Sequence, residues 1–568
     1  MNKKISNQEI ASLLKKTADL LEVHGKNHFK AKAFASAAFK IERLKDELSQ
    51  LNEKEWEKID GIGKSLALHI HQILTKGTFD EYDELKSITP EGILKLLDIK
   101  GLGPKKVATL WHELGIVDKE SLKKACLENK VACLKGFGEK TQQTILKLLE
   151  FEFSQQSLLR VDEAIYLANH LLDIFKTEFS QITIVGQVER WMEKIEKIEF
   201  LTVGLANEAT LESIKRLNFT NLRFIPSQSN PFLLTFELDA DKKIEIKIHF
   251  CDESDFYLRK IELTSSENHL LFKNEHGITF FSFLRNQQEK YSSEDQIYKA
   301  FGSQFIPAEM RETGKEWSYE TFKYTVNDED IKGVLHNHTS YSDGLNTLEE
   351  MFFAAVEKGW SFFGIADHSV SAKSYAGGLD WNEIKMQHQE IDFLQSRFPC
   401  TKLYKGIEVD ILNDGSLDYP PEILKLFDYV VASIHSNLNM DEEKAMNRIL
   451  KAIENPYTTI LGHMTGRLIG KRQGYPVNHK KIIDACYANK VVIELNANPW
   501  RLDIDWRYLN YCIEKGVIIS INPDAHEIGG LNDFLYGLKL ARKALLPRHL
   551  CLNSFEISKI DQVFKKDW

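Results

Sequence analysis

Seven short β-rich runs recur between residues 331 and 568, with helical segments between them: GVLHNHT, FFGIADH, KLYKGIEVDI, DYVVASIHS, TTILGHM, VVIELNA and VIISINPDAH. Strands alternating with helices in this way predict a parallel βα barrel, here with seven units in place of the usual eight. Six of the seven strand ends deliver histidines or carboxylates, in the order His336, His338, Asp343, His368, Glu408, His435, His463, Asp524 and His526. Residues i and i+2 of a strand point to the same side, so His336 with His338 and Asp524 with His526 each present two ligands together. A lone histidine at a strand end is usually structural. Nine nitrogen and oxygen ligands converging on the C-terminal mouth of a barrel, where barrel enzymes act, predict a metal centre instead.

Nine ligands are too many for one tetrahedral ion. Imidazole mixed with carboxylate, without cysteine, suits two or three divalent ions such as Zn, Mn or Fe. A cluster of that kind activates water and clamps phosphoryl oxygens during in-line displacement. Arg467 in GHMTGR and Arg501 in NANPWR follow two strand ends, where a guanidinium either grips a phosphate bidentately or pairs with an acidic helix.

At 568 residues the chain exceeds the size of a single core, so several domains are expected. Its seven cysteines are scattered and never in CxxC spacing, which predicts reduced, buried thiols and no thiolate zinc site. The start, MNKKISNQEIASLLKK, has no apolar h-region, and no long uncharged apolar stretch occurs, so a soluble, cytoplasmic protein without membrane association is expected. Charge is uneven. Residues 1–150 hold 26 Lys+Arg against 22 Asp+Glu, a surplus of +4, leaving −14 for the rest of a chain whose total is −10. A mildly basic front and an acidic rear suit a nucleic-acid grip joined to a cation-binding site.

The front 150 residues are helical by period. Three apolar-Gly-apolar-Gly turns open helices there: KIDGIGKSLALHI with Gly61, Gly63 and Lys64; DIKGLGPKKVATL with Gly101, Gly103, Lys105 and Lys106; and LKGFGEKTQQTIL with Gly136, Gly138 and Lys140. Backbone N–H groups at such a helix start meet a nucleic-acid phosphate, and glycine permits the close approach; Gly103 and Gly138 are expected at positive φ. From about residue 180, QITIVG, EFLTVG, NLRFIP, FLLTFEL and KIEIKIHF alternate as strands of a mixed α/β sheet.

HNHTSYSDG, IADHS, GIEVDI, ASIHS, GHMTGR and PDAH resemble the PHP (polymerase and histidinol phosphatase) phosphoesterases, over about residues 331–568. That resemblance implies one ion at His336, His338, Glu408 and Asp524, a second at Glu408, His435 and His463, and a third at Asp343, His368 and His526, with Glu408 bridging. The glycine turns resemble helix-hairpin-helix motifs. The whole order resembles a bacterial family-X DNA polymerase with associated 3'-5' exonuclease. It implies a multidomain chain: a helical DNA-binding domain with a helix-hairpin-helix over 1–95, a fingers-like helix-hairpin-helix region over 96–150, a palm-like α/β domain over 151–240, a thumb-like domain over 241–318 and a (βα)7 PHP barrel over 331–568.

The palm departs from that family. Gly186 and Arg190 survive from its G-S-x-R-R motif, but the serine is Gln187; the two aspartates of G-D-x-D become Lys197 and Glu199, and the third appears as Glu245. A lysine ammonium repels the magnesium that such a site must hold. In the thumb, Ser265 replaces the glycine of T-G-S, and the lyase lysine of the first domain aligns with His69, which forms no imine. The sequence therefore predicts a monomeric, metal-dependent phosphoesterase acting on gapped, nicked or damaged DNA in repair, as a 3'-5' exonuclease, abasic-site endonuclease or 3'-phosphatase with an inactive polymerase core. A working repair polymerase, a non-catalytic DNA-binding scaffold and a small-molecule phosphatase stand as alternatives.

Overall fold

The computed structural model describes residues 5–42, 44, 47–52, 56, 59, 61–99, 101–155, 157–217, 221–239 and 242–567. Lys58, Asp60 and Lys100 of the first two glycine turns lie outside the described residues. The chain divides into two compact units, 1–154 and 155–568.

The first unit is helical. Its opening helix, Asn7–Val23, starts at Ser6, whose side chain accepts from the Glu9 N–H while the Glu9 carboxylate takes the Ser6 N–H, a reciprocal capping box. Ile10, Leu14, Ala18 and Leu21 recur on one face of it and are buried against Phe34 and Ile41 of the helix His28–Ile41. A separate apolar cluster gathers Ile93, Val107, Leu110, Leu122 and Leu149.

The three glycine turns share the conformation of their first glycine. Gly61, Gly101 and Gly136 have φ of 91°, 90° and 89°. The apolar residues between the glycines, Ile62, Leu102 and Phe137, are buried and donate their N–H groups back to the carbonyls of Ile59, Ile99 and Leu134. Gly63 and Gly103 are the N-caps of helices Lys64–Lys76 and Pro104–Leu114, without a side-chain cap. Gly103 has φ of −73°, so the expectation of positive φ fails there: the residue has already turned into the extended N-cap conformation, and the left-handed step falls on Gly101. Gly138, at φ 142°, meets the expectation.

The second unit opens with a short antiparallel ladder of β1 (Leu159–Arg160) and β3 (Lys194–Ile195). A five-stranded mixed sheet comprises β2 (Ile182–Val185), β4 (Lys197–Val203), β5 (Leu222–Phe224), β6 (Leu233–Asp239) and β7 (Lys243–Cys251), in the order β2-β4-β7-β6-β5 with β4 parallel to β7. Alternation along β7 buries Ile244, Ile246, Ile248 and Phe250 and turns Glu245, Lys247 and His249 to the other face. Helices follow, packed around Phe280, Tyr298, Phe301 and Trp317.

The barrel is formed by β8 (Gly333–Val334), β9 (Phe362–Ile365), β10 (Lys402–Asp410), β11 (Tyr429–Ser433), β12 (Ile460–Leu461), β13 (Val492–Asn496) and β14 (Ile519–Asn522), each parallel to the next in chain order. The expected seven βα units are present. Nearly every strand residue is buried, as parallel strands covered on both faces require. The sheet closes where Asn337 bridges Ala525, and the His338 N–H donates to the Ala525 carbonyl at 2.8 Å. At the other end the Asn553 side chain joins the first and last strands, donating to the carbonyls of Gly333 and Ile521 and accepting from the Ile521 N–H. Inside, the Tyr429 ring occupies space where a Cβ on Gly406 would come within 2.1 Å of it, and its hydroxyl reaches the Leu335 and Ile365 carbonyls.

The cysteines are all free, as expected, but Cys133 and Cys400 are exposed; Cys133 ends the short 3-10 helix Val131–Cys133 and Cys400 lies in a turn. Among the described residues, no helix is long and apolar enough to cross a membrane. The turn geometry yields a stability contrast. Gly101→Ser should destabilise the protein by roughly 1–2 kcal/mol, since a side chain at positive φ is strained, whereas Gly103→Ser, at an N-cap serine favours, should be neutral or better. Urea unfolding of the two variants measures the difference, and equal midpoints would contradict it.

Candidate metal centre

The barrel brings all nine expected ligands to one mouth. Glu408, in β10, is fully enclosed, and its two oxygens lie 3.4 Å from His336, 3.8 Å from His338, 3.0 Å from His368, 3.2 Å from His435 and 3.0 Å from His463. Asp524 lies 3.1 Å from His338 Nε2 and 3.7 Å from His336 Nε2. Asp343 lies 3.5 Å from His368 and 3.4 Å from His526. Asp524 itself sits at φ 52°, in the left-handed region that aspartate tolerates better than most residues, just beyond the end of β14.

Three groups within this mouth place their ligand atoms all within 4.8 Å of one another: His338, Asp343, His368 and His526; His336, His338 and Asp524; and His368, Glu408 and His435. These clusters fit two or three divalent ions. The grouping differs from the partition that the family resemblance implied. His338 faces two groups because His526 stacks on its ring, with centroids 4.2 Å apart, and His368 turns Nδ1 toward Glu408 and Nε2 toward Asp343. His463 belongs to none of the three and meets the cluster through Glu408 at 3.0 Å and through ring contacts with His435 and His336.

Buried ring nitrogens test whether cations suit the mouth. His336 Nε2, His338 Nδ1, His368 Nδ1, His435 Nε2 and His463 Nδ1 are all buried without a hydrogen-bond partner, a cost that a coordinated cation removes for those facing the cluster. Burial would raise the Glu408 carboxyl, but His435, His336 and His368 outweigh it and hold the group well below the usual carboxylate range. Burial, reinforced by His526 and His368, pushes His338 down to about 3, which keeps its imidazole neutral, the form a metal requires.

Three carboxylates behind the ligands went unread in the sequence. Glu494, on β13, accepts from His336 Nδ1 at 2.7 Å, from the His463 N–H at 2.8 Å and from Asn522 and Asn496 at 3.0 and 3.2 Å. VVIELNA, the one strand end of the seven without an expected ligand, thus contributes after all. Its signal was the i, i+2 pair Glu494 and Asn496, which alternation turns to the barrel interior. Asp410 accepts from His435 Nδ1 at 2.5 Å. Asp367 takes bonds from the Thr339 N–H and hydroxyl, Ser342 and Gln387, fixing the loop that carries Asp343.

The two arginines separate. Arg501 lies 3.0 Å from Asp524 through Nε, at the edge of the cluster. Arg467 donates to the carbonyls of Arg501 and Leu502 and to Asp505, so its guanidinium shapes the loop that bears Arg501.

On the five-stranded sheet, Lys197 and Glu199 of β4 stand opposite Glu245 and Lys247 of β7. Lys197 pairs with Glu199 at 3.0 Å, His249 with Glu199 at 3.1 Å and Lys247 with Glu245 at 2.8 Å. A Cβ on Gly186 would lie 2.4 Å from Glu199, Gln187 accepts from the Glu196 N–H, and Arg190 pairs with Glu312. Among the described residues these carboxylates form no ligand cluster. Thr264 is buried and accepts from Arg311, Ser265 donates to the Ile261 carbonyl, and His69 lies between Phe34 and Phe79. At the glycine turns, Lys64, Lys105 and Lys140 are exposed, while Lys106 turns back to donate to the Gly101 carbonyl.

Residues 335–498 match the PHP domain family, residues 5–79 a helix-hairpin-helix domain and residues 93–150 a SAM-like helix-hairpin-helix tandem. Fold and site together define a metal-dependent phosphohydrolase of the PHP type. Over 99% of its length the chain is 32% identical to the DNA polymerase/3'-5' exonuclease PolX of Bacillus subtilis (strain 168), 99% of which is covered. The chain belongs to this PolX family of DNA polymerase X-like proteins. Its barrel region is also similar to shorter proteins: a probable phosphatase of Thermoanaerobacter sp. (strain X514), 28% identical over 42% of this chain and 96% of that protein, and one of Clostridium acetobutylicum, 28% identical over 39% and 90%.

Because Glu494 fixes the tautomer and orientation of His336, Glu494→Ala should weaken divalent-metal affinity by about 10- to 100-fold. Competition with a fluorescent chelator measures this; unchanged affinity in a folded variant would remove Glu494 from that role.

Proposed function

We propose that the chain is a DNA phosphoesterase whose catalytic centre is the barrel mouth and whose other regions hold the DNA. The observation that carries this reading is the convergence of nine nitrogen and oxygen ligands around the enclosed Glu408 carboxylate. His336, His338, Asp343, His368, Glu408, His435, His463, Asp524 and His526 are the proposed ligands, and the imidazole share favours Mn, Zn or Fe over Mg or Ca. Bound divalent ions supply Lewis acidity and a water-derived nucleophile. Glu408 holds the ligand set together from its centre, Glu494 and Asp410 orient His336 and His435, and Arg501 holds a nonbridging phosphoryl oxygen beside Asp524. Arg467 serves the same phosphate by fixing the Arg501 loop.

This mouth acts on a DNA strand end or damaged site, as 3'-5' exonuclease, abasic-site endonuclease or 3'-phosphatase in repair. The helical region over 1–150 supplies the grip, with backbone N–H groups of the glycine turns and Lys64, Lys105 and Lys140 on phosphates. Residues 151–240 and 241–318 correspond to the palm and thumb of the family, except that β7 belongs to the palm, because it pairs with β4 and β6 inside the five-stranded sheet and the expected boundary at 240 would cut that sheet; the palm is inactive in nucleotidyl transfer. Its support is the pairing of Glu199 with Lys197 and His249 and of Glu245 with Lys247: an ammonium 3.0 Å from a carboxylate occupies the place of a magnesium ion and repels one.

End-labelled primer on gapped DNA, incubated with Mn, tests both halves. Shortening of the labelled strand is expected with the parent protein and lost with chelator or Glu408→Ala, while added nucleotides produce no extension. Parent-level turnover by Glu408→Ala at equal metal loading, or incorporation that Glu199→Ala abolishes, would overturn the reading.

The grip has its own signature. Replacing Lys64, Lys105 and Lys140 by alanine should make the logarithmic salt dependence of DNA binding shallower by up to about 3 units, at roughly 0.9 for each phosphate no longer neutralised. Turnover of a small chromogenic phosphoester should not change. An unaltered salt slope would remove the glycine turns from the DNA interface.

A further inference from the structure

Arg160, at the end of β1, is almost fully buried, yet its guanidinium carbon lies 3.4 Å from the centroid of the Trp500 ring, which belongs to the barrel loop after β13. Four hydrogen bonds hold that guanidinium and its backbone in place: Nε and Nη2 to Asp162 at 3.0 and 2.7 Å, Nη1 to Glu163 at 2.8 Å, and the Arg160 N–H to Glu163 at 3.0 Å. A planar cation stacked on an aromatic face at this distance is a directional interaction, which an ammonium does not reproduce. Glu193, one residue before β3, grips the same loop further along. It accepts from Arg507 at 2.6 Å and from the Trp506 indole at 3.3 Å.

Between these two grips lies Arg501. A tight turn, in which the Arg501 and Leu502 N–H groups donate to the Asn498 carbonyl at 2.8 and 3.0 Å, fixes its place directly after Trp500. Its side chain then reaches Asp524 at 3.0 Å. Movement of Trp500 therefore moves Arg501.

We propose that the β1–β3 ladder is a clamp that positions Arg501 at the metal mouth, with Arg160 and Glu193 acting as positioning residues for the barrel's reaction. The clamp rests on the reading that Arg501 meets the phosphoryl group. It gives the region ahead of the barrel a task that needs none of the carboxylates on its five-stranded sheet, and it makes the phosphoesterase centre depend on residues outside the barrel sequence.

The test is a double-mutant cycle in the full chain, with Arg160→Ala, Arg501→Ala and the pair, assayed on a small chromogenic phosphoester at equal metal content. Trp500→Leu breaks the same stack from the barrel side while leaving the Arg160 carboxylate partners paired, which covers the case of a misfolded Arg160 variant. Arg501→Ala should lower kcat/KM by about 10- to 100-fold, the effect of removing one charge-assisted hydrogen bond. Arg160→Ala and Trp500→Leu should each lower it by about 10-fold and, on the Arg501→Ala background, cost no more than about twofold further. In the metal-free protein, phenylglyoxal labelling of Arg501, read by peptide mass spectrometry, should rise in both clamp variants.

Losses that multiply on the Arg501→Ala background would mark a general structural effect and overturn the clamp. So would parent-like turnover and labelling in Arg160→Ala and Trp500→Leu. Parent-like turnover of Arg501→Ala would overturn the role of Arg501 in phosphate binding, and the clamp with it.

Discussion

Glu408 is enclosed, with five imidazoles within 3.8 Å of its oxygens, and a carboxylate buried so completely persists only if positive charge compensates it. Asp343 and Asp524 crowd the same mouth, and Glu494 stands directly behind it. Protonation of His368 and His526 compensates some of this charge: neighbouring carboxylates raise the pKa of His368 to about 10 and of His526 to about 9 although burial opposes protonation of both. Divalent cations compensate it more completely, because each carries two charges and satisfies ring nitrogens that otherwise lack partners. Burial, charge and ligand type at this mouth thus point to the same solution.

A cluster of that kind is useful only if its ligands cannot scatter once ions arrive, and the barrel supplies that rigidity at several levels. Parallel strands hold His336, His368, His435 and His463 at the same end of one sheet. Glu494 and Asp410 fix ring orientation through the second nitrogens of His336 and His435. At the far end, Asn553 ties β8 to β14, so that the first and last ligand pairs stand side by side where the ring closes.

Much of this was legible in the sequence because strand periodicity is short and local. The seven runs, their order and the i, i+2 ligand pairs follow from alternation, and they located both the barrel and its mouth. The carboxylates behind the ligands were not legible, since Glu494 and Asp410 look like ordinary strand residues until neighbouring strands bring His336 and His435 beside them. Asn553 escaped for the same reason: it lies in the short 3-10 helix Leu552–Ser554, and its partners are about 30 and 220 positions away. Arg467 and Arg501 read alike in sequence, each following a strand end, and only the path of the loop sends one guanidinium to backbone carbonyls and the other to Asp524. At the glycine turns the sequence located three helix starts, but which glycine takes the left-handed step depends on backbone hydrogen bonds that spacing does not encode.

The chain solves the problem of clustered carboxylates twice, in opposite ways. At the barrel mouth, acids face imidazoles, which are neutral when unprotonated and donate lone pairs, so cations are admitted. On the five-stranded sheet, Glu199 and Glu245 face the ammonium groups of Lys197 and Lys247, which are already cations and offer no lone pair, with the His249 imidazole also beside Glu199 at 3.1 Å. Such ion pairs neutralise these carboxylates without a metal ion. Through Arg160 and Glu193 the ladder beside the sheet reaches the loop on which Arg501 sits. Its contribution to the chemistry then passes through shape, and that requires only that the ladder keep its hold on Trp500, Trp506 and Arg507.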